Sequence, residues 1–361
     1  MNRVDKWQNY IELDGRRIGQ GECPFVVAEL SGNHNGDFDR AIQLADAAID
    51  AGADAIKLQT YTADTLTIKC DAQPFQILEG PWAGRTLHDL YEWAHTPWEW
   101  HRPIFEHVRS RGCCCFSTPF DVTSLSLLED LDCPIYKIAS FEIVDLALIK
   151  AVAATGKPMV ISTGMSSYDE ISDALQVAQD GGCRSLILLH CVSGYPTPVE
   201  EVNVRAMRKL SSQFELPVGL SDHTRGTLVP TIATSMGACF IEKHVTLRRS
   251  DGGPDAEFSL EPDELAEMVQ SVRTSWLASG LDSERIRPSC EKSSRIFRRS
   301  LFVVEPVRVG DVFTTDMIRS IRPGDGLAPK YLDQIIGKKA ARSIERGTPV
   351  SWDLVENGCM P

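Results

Sequence analysis

The sequence has no pair of cysteines spaced CxxC, no apolar run long enough to cross a bilayer and no excess of basic charge. Each absence removes a class of function. Eleven cysteines, an odd number that includes the run Cys113, Cys114, Cys115, fit neither a zinc knuckle nor a disulfide framework, so the thiols read as reduced packing residues. Cys191, which follows His190, has a nucleophile's setting, although a cysteine on a buried strand is ordinarily there for packing. The start, MNRVDKWQNYIELDG, offers neither the apolar segment nor the cleavage site of a secretory signal, and the expectation is a cytoplasmic protein without a membrane partner. A formal net charge of -13 argues against nucleic acid held over a broad face, because phosphate backbones need a basic surface. A small phosphorylated ligand needs only a few local cations.

What is present is a repeat. In 361 residues, 43% of them hydrophobic, one large domain and one small one are expected. YIELDGRRIG reads as a hairpin turning at Asp14 and Gly15. From Pro24 onward short β-rich runs alternate with amphipathic stretches. The runs are FVVAEL, AIKLQ, CCFST, IYKIA, MVIST, LILLH, VGLS and CFIEKH. The stretches are 39–51, 97–111, 124–131, 146–155, 169–179, 204–213, 228–236 and 262–279. Eight strand–helix units over roughly 250 residues predict an α/β fold, a (β/α)8 TIM barrel over 1–279 including the hairpin. An open doubly wound sheet is the alternative, disfavoured because no GxGxxG follows the first strand.

Active sites of such barrels lie at the C-terminal strand ends. Those ends carry polar residues throughout: Glu29, Asn33 and His34; Lys57 and Gln59; Ser117 and Thr118; Lys137, Ser140 and Glu142; Ser162 and Thr163; His190, Ser193 and Tyr195; Ser221, Asp222 and His223; Lys243 and His244. SDHTRG and FIEKH organise the set. If their strands are parallel neighbours, His223 and His244 point into one space and can share a divalent cation. Asp222, Glu242 and Lys243 would add oxygen ligands and a positive charge to the same rim. The plainer role for either histidine alone is a hydrogen bond at a strand end. Lys57 and Lys137, inside strands, are costly to bury unless they meet an anion, which is either a phosphate or carboxylate ligand or an internal partner such as Glu29 or Glu142.

Two long loops face the same end. Residues 60–96 read as a lid or sugar-contacting wall in which Tyr61, Trp82 and Tyr91 could stack on a ring, and DGGPDAEFSLEP (251–262) places Asp255 near the proposed metal. Residues 280–297, polar and without period, read as a linker. From 298 to 361, SLFVVEPV, DVFTTDMI and GTPVSWDLV, separated by turns at Gly310, Gly324 and Gly347, predict a small β-rich domain, with Arg322 in a rigid Gly/Pro loop.

AELSGNHNGDFDRA, DAIKLQTYTADTLT, KIASFE, ISTGM, LHCVSGYPTP, GLSDHTRG, IEKHVTL and DGGPDAEFSLEP together resemble the sialic acid synthase family, which condenses phosphoenolpyruvate with an amino sugar. The resemblance covers nearly the whole chain, and the last sixty or so residues resemble the antifreeze-like SAF domain, a β-clip. AELSGNHN, KLQTYTADT, TPWEWH and GGPDAEFSLEP are most similar to the pseudaminic acid branch. In the N-acetylneuraminate branch the last motif usually reads GPDH, where this chain has Ala256.

The resemblance implies that His223 and His244 bind a divalent ion, manganese with magnesium or cobalt as alternatives. It implies that Lys137, Ser140, Ser162 and Ser221 hold phosphoenolpyruvate. Ser193 would join them, although the family often has Asn there. Glu29, Lys57, Gln59, Tyr195 and Asp255 match sugar-contacting or catalytic positions. Arg322 matches an arginine that reaches a partner's barrel, which implies a domain-swapped homodimer. Glu142 is the candidate general base for the water step and Asp255 a candidate orienter. The expected sugar is a diacetamido trideoxy hexose, with an N-acetylmannosamine-type sugar as the alternative within the family. Outside it stand another metal-dependent barrel enzyme, such as an aldolase, and a non-catalytic sugar-binding protein.

Overall fold

The computed structural model describes residues 7–280, 289–356 and 358, which divide into two compact units at residues 281 and 282. In the first, β1 (Tyr10–Leu13) and β2 (Arg16–Gly19) pair as an antiparallel hairpin. Asp14 and Gly15 at its turn have φ of 49° and 77°, as a two-residue type I′ turn requires. Ile11 and Ile18 face each other and are fully buried, while Gln8 bridges to Ser185 just before a barrel strand. The hairpin therefore lies against the N-terminal end of the strands, away from the expected site.

Eight parallel strands close into a barrel in chain order. They are β3 (Phe25–Glu29), β4 (Ala55–Thr60), β5 (Cys114–Pro119), β6 (Tyr136–Ile138), β7 (Met159–Ser162), β8 (Leu186–Cys191), β9 (Val218–Asp222) and β10 (Phe240–His244), with β10 returning to β3. The helices that follow them, from Phe38–Asp50 to Pro262–Ser279, begin and end within two residues of the expected bounds. Their starts are written in the sequence. Asp37, Asp121, Asp145 and Ser167 each accept a hydrogen bond from the backbone three residues on, which satisfies an otherwise orphaned amide. Helix Phe38–Asp50 buries Ala41, Leu44, Ala45 and Ala48, the stripe at one helical face that turns it onto the sheet.

Strand register decides which side chains enter the barrel. Side chains alternate between faces, and residues paired across parallel strands share one. Glu29 lies beside Lys57 on one side and His244 on the other. Continuing round, Lys57 meets Phe116, Lys137 meets Val160, Ser162 meets Leu189, Cys191 meets Ser221, and Ser221 meets Glu242. The inward set thus contains Glu29, Lys57, Gln59, Thr118, Lys137, Ser162, Cys191, Ser221, Glu242 and His244. Beneath it Gly219 leaves room for Leu189 and Phe240, since a Cβ at that position would lie 2.6 Å from Leu189 Cδ2.

Among its described residues the second unit has one antiparallel pair, β11 (Ser300–Val303) with β12 (Ile318–Ile321), over a core that includes Leu301, Val303, Val307, Phe313 and Ile335. DVFTTDMI and GTPVSWDLV, expected as strands, supply mostly single bridges, among them Val312 to Lys339 and Phe302 to Pro349. Gly310 and Gly347, at positive φ, turn the chain too often for a ladder to extend. Of the expected linker, 281–288 lie outside the described residues, and Ser289–Glu291 and Ser293–Phe297 form short 3-10 turns. Among the described residues no helix is long and apolar enough to cross a membrane.

Candidate active site

The C-terminal end of the barrel gathers two kinds of group. On the β9, β10, β3 and β4 side, ring centres of His223 and His244 are 5.3 Å apart, and Phe258 stands edge-on to both. His223 Nδ1 donates to the Val192 carbonyl at 3.1 Å, which fixes the tautomer and leaves Nε2 as a free lone pair. His244 Nδ1 is buried without a hydrogen-bond partner and lies 3.5 Å from Asp255 Oδ2. Metal–nitrogen bonds of about 2.1 Å to two rings put their centres roughly 5 Å apart, so the pair fits one cation. Among the described residues no third His, Cys, Asp or Glu completes a ready-made cluster, and the remaining positions would fall to substrate and water.

Asp255 is carried over the pair by the loop after β10. Ser31 Oγ donates to it at 2.5 Å, and Asn33 pins the loop through Val245 and Ser259. Although burial works against its charge, His244 and Ser31 hold its carboxyl below the usual range. Glu29 takes the Ser31 amide at 2.7 Å and ion-pairs with Lys57. Glu242 lies at the centre, its Oε1 3.5 Å from both Lys57 and Lys137 and 3.4 Å from Ser221 Oγ. Burial opposes every one of these charges. Glu242 and Glu29 nevertheless keep Lys57 above the ordinary lysine value, whereas Lys137, with less compensation, falls below it. Lys137 is the cation that an incoming anion would relieve.

Beyond Lys137, the β6–β8 side is rich in hydroxyls and carries one carboxyl, Glu142. Ser162 Oγ is buried and unpartnered, and Ser140 Oγ accepts the Gly164 amide at 3.1 Å. Gly164 leaves a cradle. A Cβ there would lie 2.7 Å from Ser140 Oγ and collide with Ser193 Oγ, which places both hydroxyls about one point. Glu142, on the loop after β6, has a buried, unpartnered Oε2, and burial pushes its pKa up to about 7. Tyr195 packs on His223 with ring centres 4.5 Å apart, and Gln59 lies half-buried on the inward face of β4. The 60–96 loop closes over them through Trp82, which meets Tyr195 and donates to the Pro254 carbonyl at 2.8 Å. Tyr61 and Tyr91 instead pack on each other, and Tyr61 also on Phe120, so they anchor the loop rather than offer a ring to a ligand.

Several expectations are corrected. Asp222 and Lys243 do not reach the rim. Register turns them to the outer face, where they bind each other at 2.6 Å, because each is one residue out of phase with the imidazole beside it. His190 likewise turns outward to Val202, and His34 bonds Thr96 in the wall. Lys137 finds its internal partner in Glu242. Arg322 keeps its expected place in the Gly/Pro loop of the second unit, its guanidinium over the Phe297 ring at 5.8 Å. Glu242, expected as an oxygen ligand on the rim, is instead the hub of the buried charges, and Cys191, weighed as a nucleophile, faces inward beside His223. Burial works against the Cys191 thiolate, and a protonated His223 ring beside the sulfur would draw the thiol down to about 7, a pull the neutral, cation-binding ring does not exert.

Known proteins resemble the chain over both units. A model of the NeuB family matches residues 44–284, and a model of the SAF domain matches residues 298–356. The pseudaminic acid synthase of Helicobacter pylori is 42% identical over 92% of this chain and 98% of its own. That of Campylobacter jejuni (strain 81-176) is 40% identical over 90% and 94%. Among solved structures, the N-acetylneuraminic acid synthetase of Leptospira borgpetersenii, in complex with citrate, superposes with a TM-score of 0.72 at 31% identity, covering 80% of this chain and 96% of that one.

Proposed function

The chain belongs to the NeuB family, and from that premise we propose that it is a pseudaminic acid synthase. It condenses phosphoenolpyruvate with 2,4-diacetamido-2,4,6-trideoxy-β-L-altropyranose and releases phosphate. The observation that carries the reaction is the division of the barrel mouth: two lysines and a set of serine hydroxyls suited to an acid phosphate stand beside a pair of imidazoles suited to a cation. The sugar assignment is supported by the identity to pseudaminic acid synthases.

In this reading Lys137 and the hydroxyls of Ser140, Ser162, Ser193 and Ser221 hold the phosphate and carboxylate of phosphoenolpyruvate. His223 and His244 hold a divalent cation, manganese for preference, which supplies Lewis acidity toward the aldehyde oxygen of the open-chain sugar. Glu29, Lys57, Gln59 and Tyr195 orient the sugar, and Asp255 orients its hydroxyls. C3 of phosphoenolpyruvate bonds to the aldehyde carbon while the aldehyde oxygen takes a proton from solvent, leaving positive charge at C2. Water adds there as Glu142 takes its proton, and the bond from C2 to the phosphate oxygen then breaks as the new hydroxyl loses its proton, leaving a keto group and free phosphate. A carboxyl near pH 7 is poised for that transfer. Arg322 would complete the site of a second subunit in a domain-swapped homodimer, and the enzyme would act in the cytoplasm on soluble precursors.

The test is phosphate release from phosphoenolpyruvate with three sugars: the diacetamido trideoxyaltrose, N-acetylmannosamine and the legionaminic acid precursor. The first is expected to give the highest kcat/KM. Equal or better use of N-acetylmannosamine moves the chain to the neuraminate branch, and no release with any of them refutes the class.

A further inference from the structure

The pair that left the rim has a role of its own. Lys243 and Asp222 lie side by side on the outer face of the barrel, 0% and 2% exposed, in the layer where helices pack on strands. Lys243 Nζ donates to Asp222 Oδ2 at 2.6 Å and also to the Thr224 carbonyl. Asp222 in turn accepts the Thr224 amide at 3.1 Å and the Thr224 hydroxyl at 3.0 Å. Four bonds therefore tie together the residues on both sides of His223 and the residue preceding His244. The His223 ring is packed by Tyr195 and Phe258 and bonded through Nδ1, and its carbonyl accepts the Thr197 amide at 3.0 Å.

A buried ion pair is poor value as a stabiliser, since an apolar pair of similar volume often serves the fold as well. What an apolar pair cannot supply is direction. Two imidazoles that share one ion must keep a fixed separation, and the chain leaves the strand ladder at Asp222, where those four bonds and the Thr197 amide fix its direction. We propose that the Lys243–Asp222–Thr224 knot is a positioning device that sets His223 against His244, acting on the cation site from the opposite side of the sheet. The inference rests on the reading of the two histidines as metal ligands.

The test is Mn2+ titration of the full-length, metal-free protein, with thermal melting alongside. Wild type and His223→Ala check the underlying reading: if wild type binds no Mn2+, or His223→Ala binds it as tightly, that reading fails. With it intact, the double variant Asp222→Leu/Lys243→Met is expected to melt near wild type yet bind Mn2+ about 10- to 100-fold more weakly, the usual cost of removing a ligand's support. Thr224→Val, which deletes one hydroxyl bond and keeps the charges, is expected to weaken binding several-fold with no change in melting. Wild-type affinity in either variant overturns the proposal. So does a double variant that cannot fold, because the pair is then a requirement of the barrel rather than of the site.

Discussion

The two halves of the barrel mouth solve burial in opposite ways. Around β9, β10, β3 and β4 the groups are charged and stand as ion pairs, Glu29 with Lys57, Glu242 between Lys57 and Lys137, Asp255 near His244, while Glu242 Oε2 and His244 Nδ1 make no hydrogen bond. Around β6–β8, beyond Lys137 and Glu142, they are neutral hydroxyls, and Ser162 Oγ is left without a partner while Gly164 keeps a space open between Ser140 and Ser193. Buried charge has to be paired within the protein, whereas a buried hydroxyl can wait for a ligand at a cost of about 1–3 kcal/mol. The charged half is thus preorganised chemistry, and the hydroxyl half is an unfilled mould.

The largest break in that comparison should come from the imidazoles. His223→Ala or His244→Ala is expected to lower turnover by roughly 100-fold or more, exceeding the range seen for loss of a supporting residue, and to abolish Mn2+ retention while leaving phosphoenolpyruvate binding nearly intact. Glu142→Gln should cost about 100-fold in kcat and also change the pH profile. A base must be ionised to act, and burial raises this carboxyl to about 7, so the wild-type rate should fall as pH drops below about 7. The Gln variant should lose that limb, and an unchanged acid limb would exclude Glu142. Gly164→Ala strikes only the hydroxyl half: its methyl would displace Ser140 and Ser193, raising KM for phosphoenolpyruvate about 10-fold or more without altering metal affinity. The smallest effect is also the most discriminating. Ser162→Ala should leave melting unchanged or slightly raised, since it removes an unsatisfied buried hydroxyl, yet weaken phosphoenolpyruvate binding by about tenfold.

The fold was readable because each barrel strand is a short apolar run followed by a helix, several of which carry a cap residue in place, as at Asp37, Asp121 and Ser167. The convergence of His223 and His244 was readable for a related reason, since both stand at the ends of adjacent parallel strands. Phase was not read. Asp222 and Lys243 adjoin the imidazoles in sequence but face the other way, and Glu242, which faces in, passed for a rim residue. Contacts made by loops were also beyond reach: nothing local tells Trp82 to find Pro254, 172 residues on, or tells Tyr61 to pack on Phe120 rather than face a ligand. In the second unit, β propensity suggested ladders where frequent turns allow little more than bridges. Propensity records the character of a residue, and turn spacing decides whether neighbours can pair.

The central claim is that one cation sits between two rings at the barrel mouth. Crystals grown with Mn2+ and measured at the manganese absorption edge test it directly. The account predicts one strong anomalous peak about 2.2 Å from Nε2 of both His223 and His244. A peak bound by neither ring, or by only one of them, would contradict it.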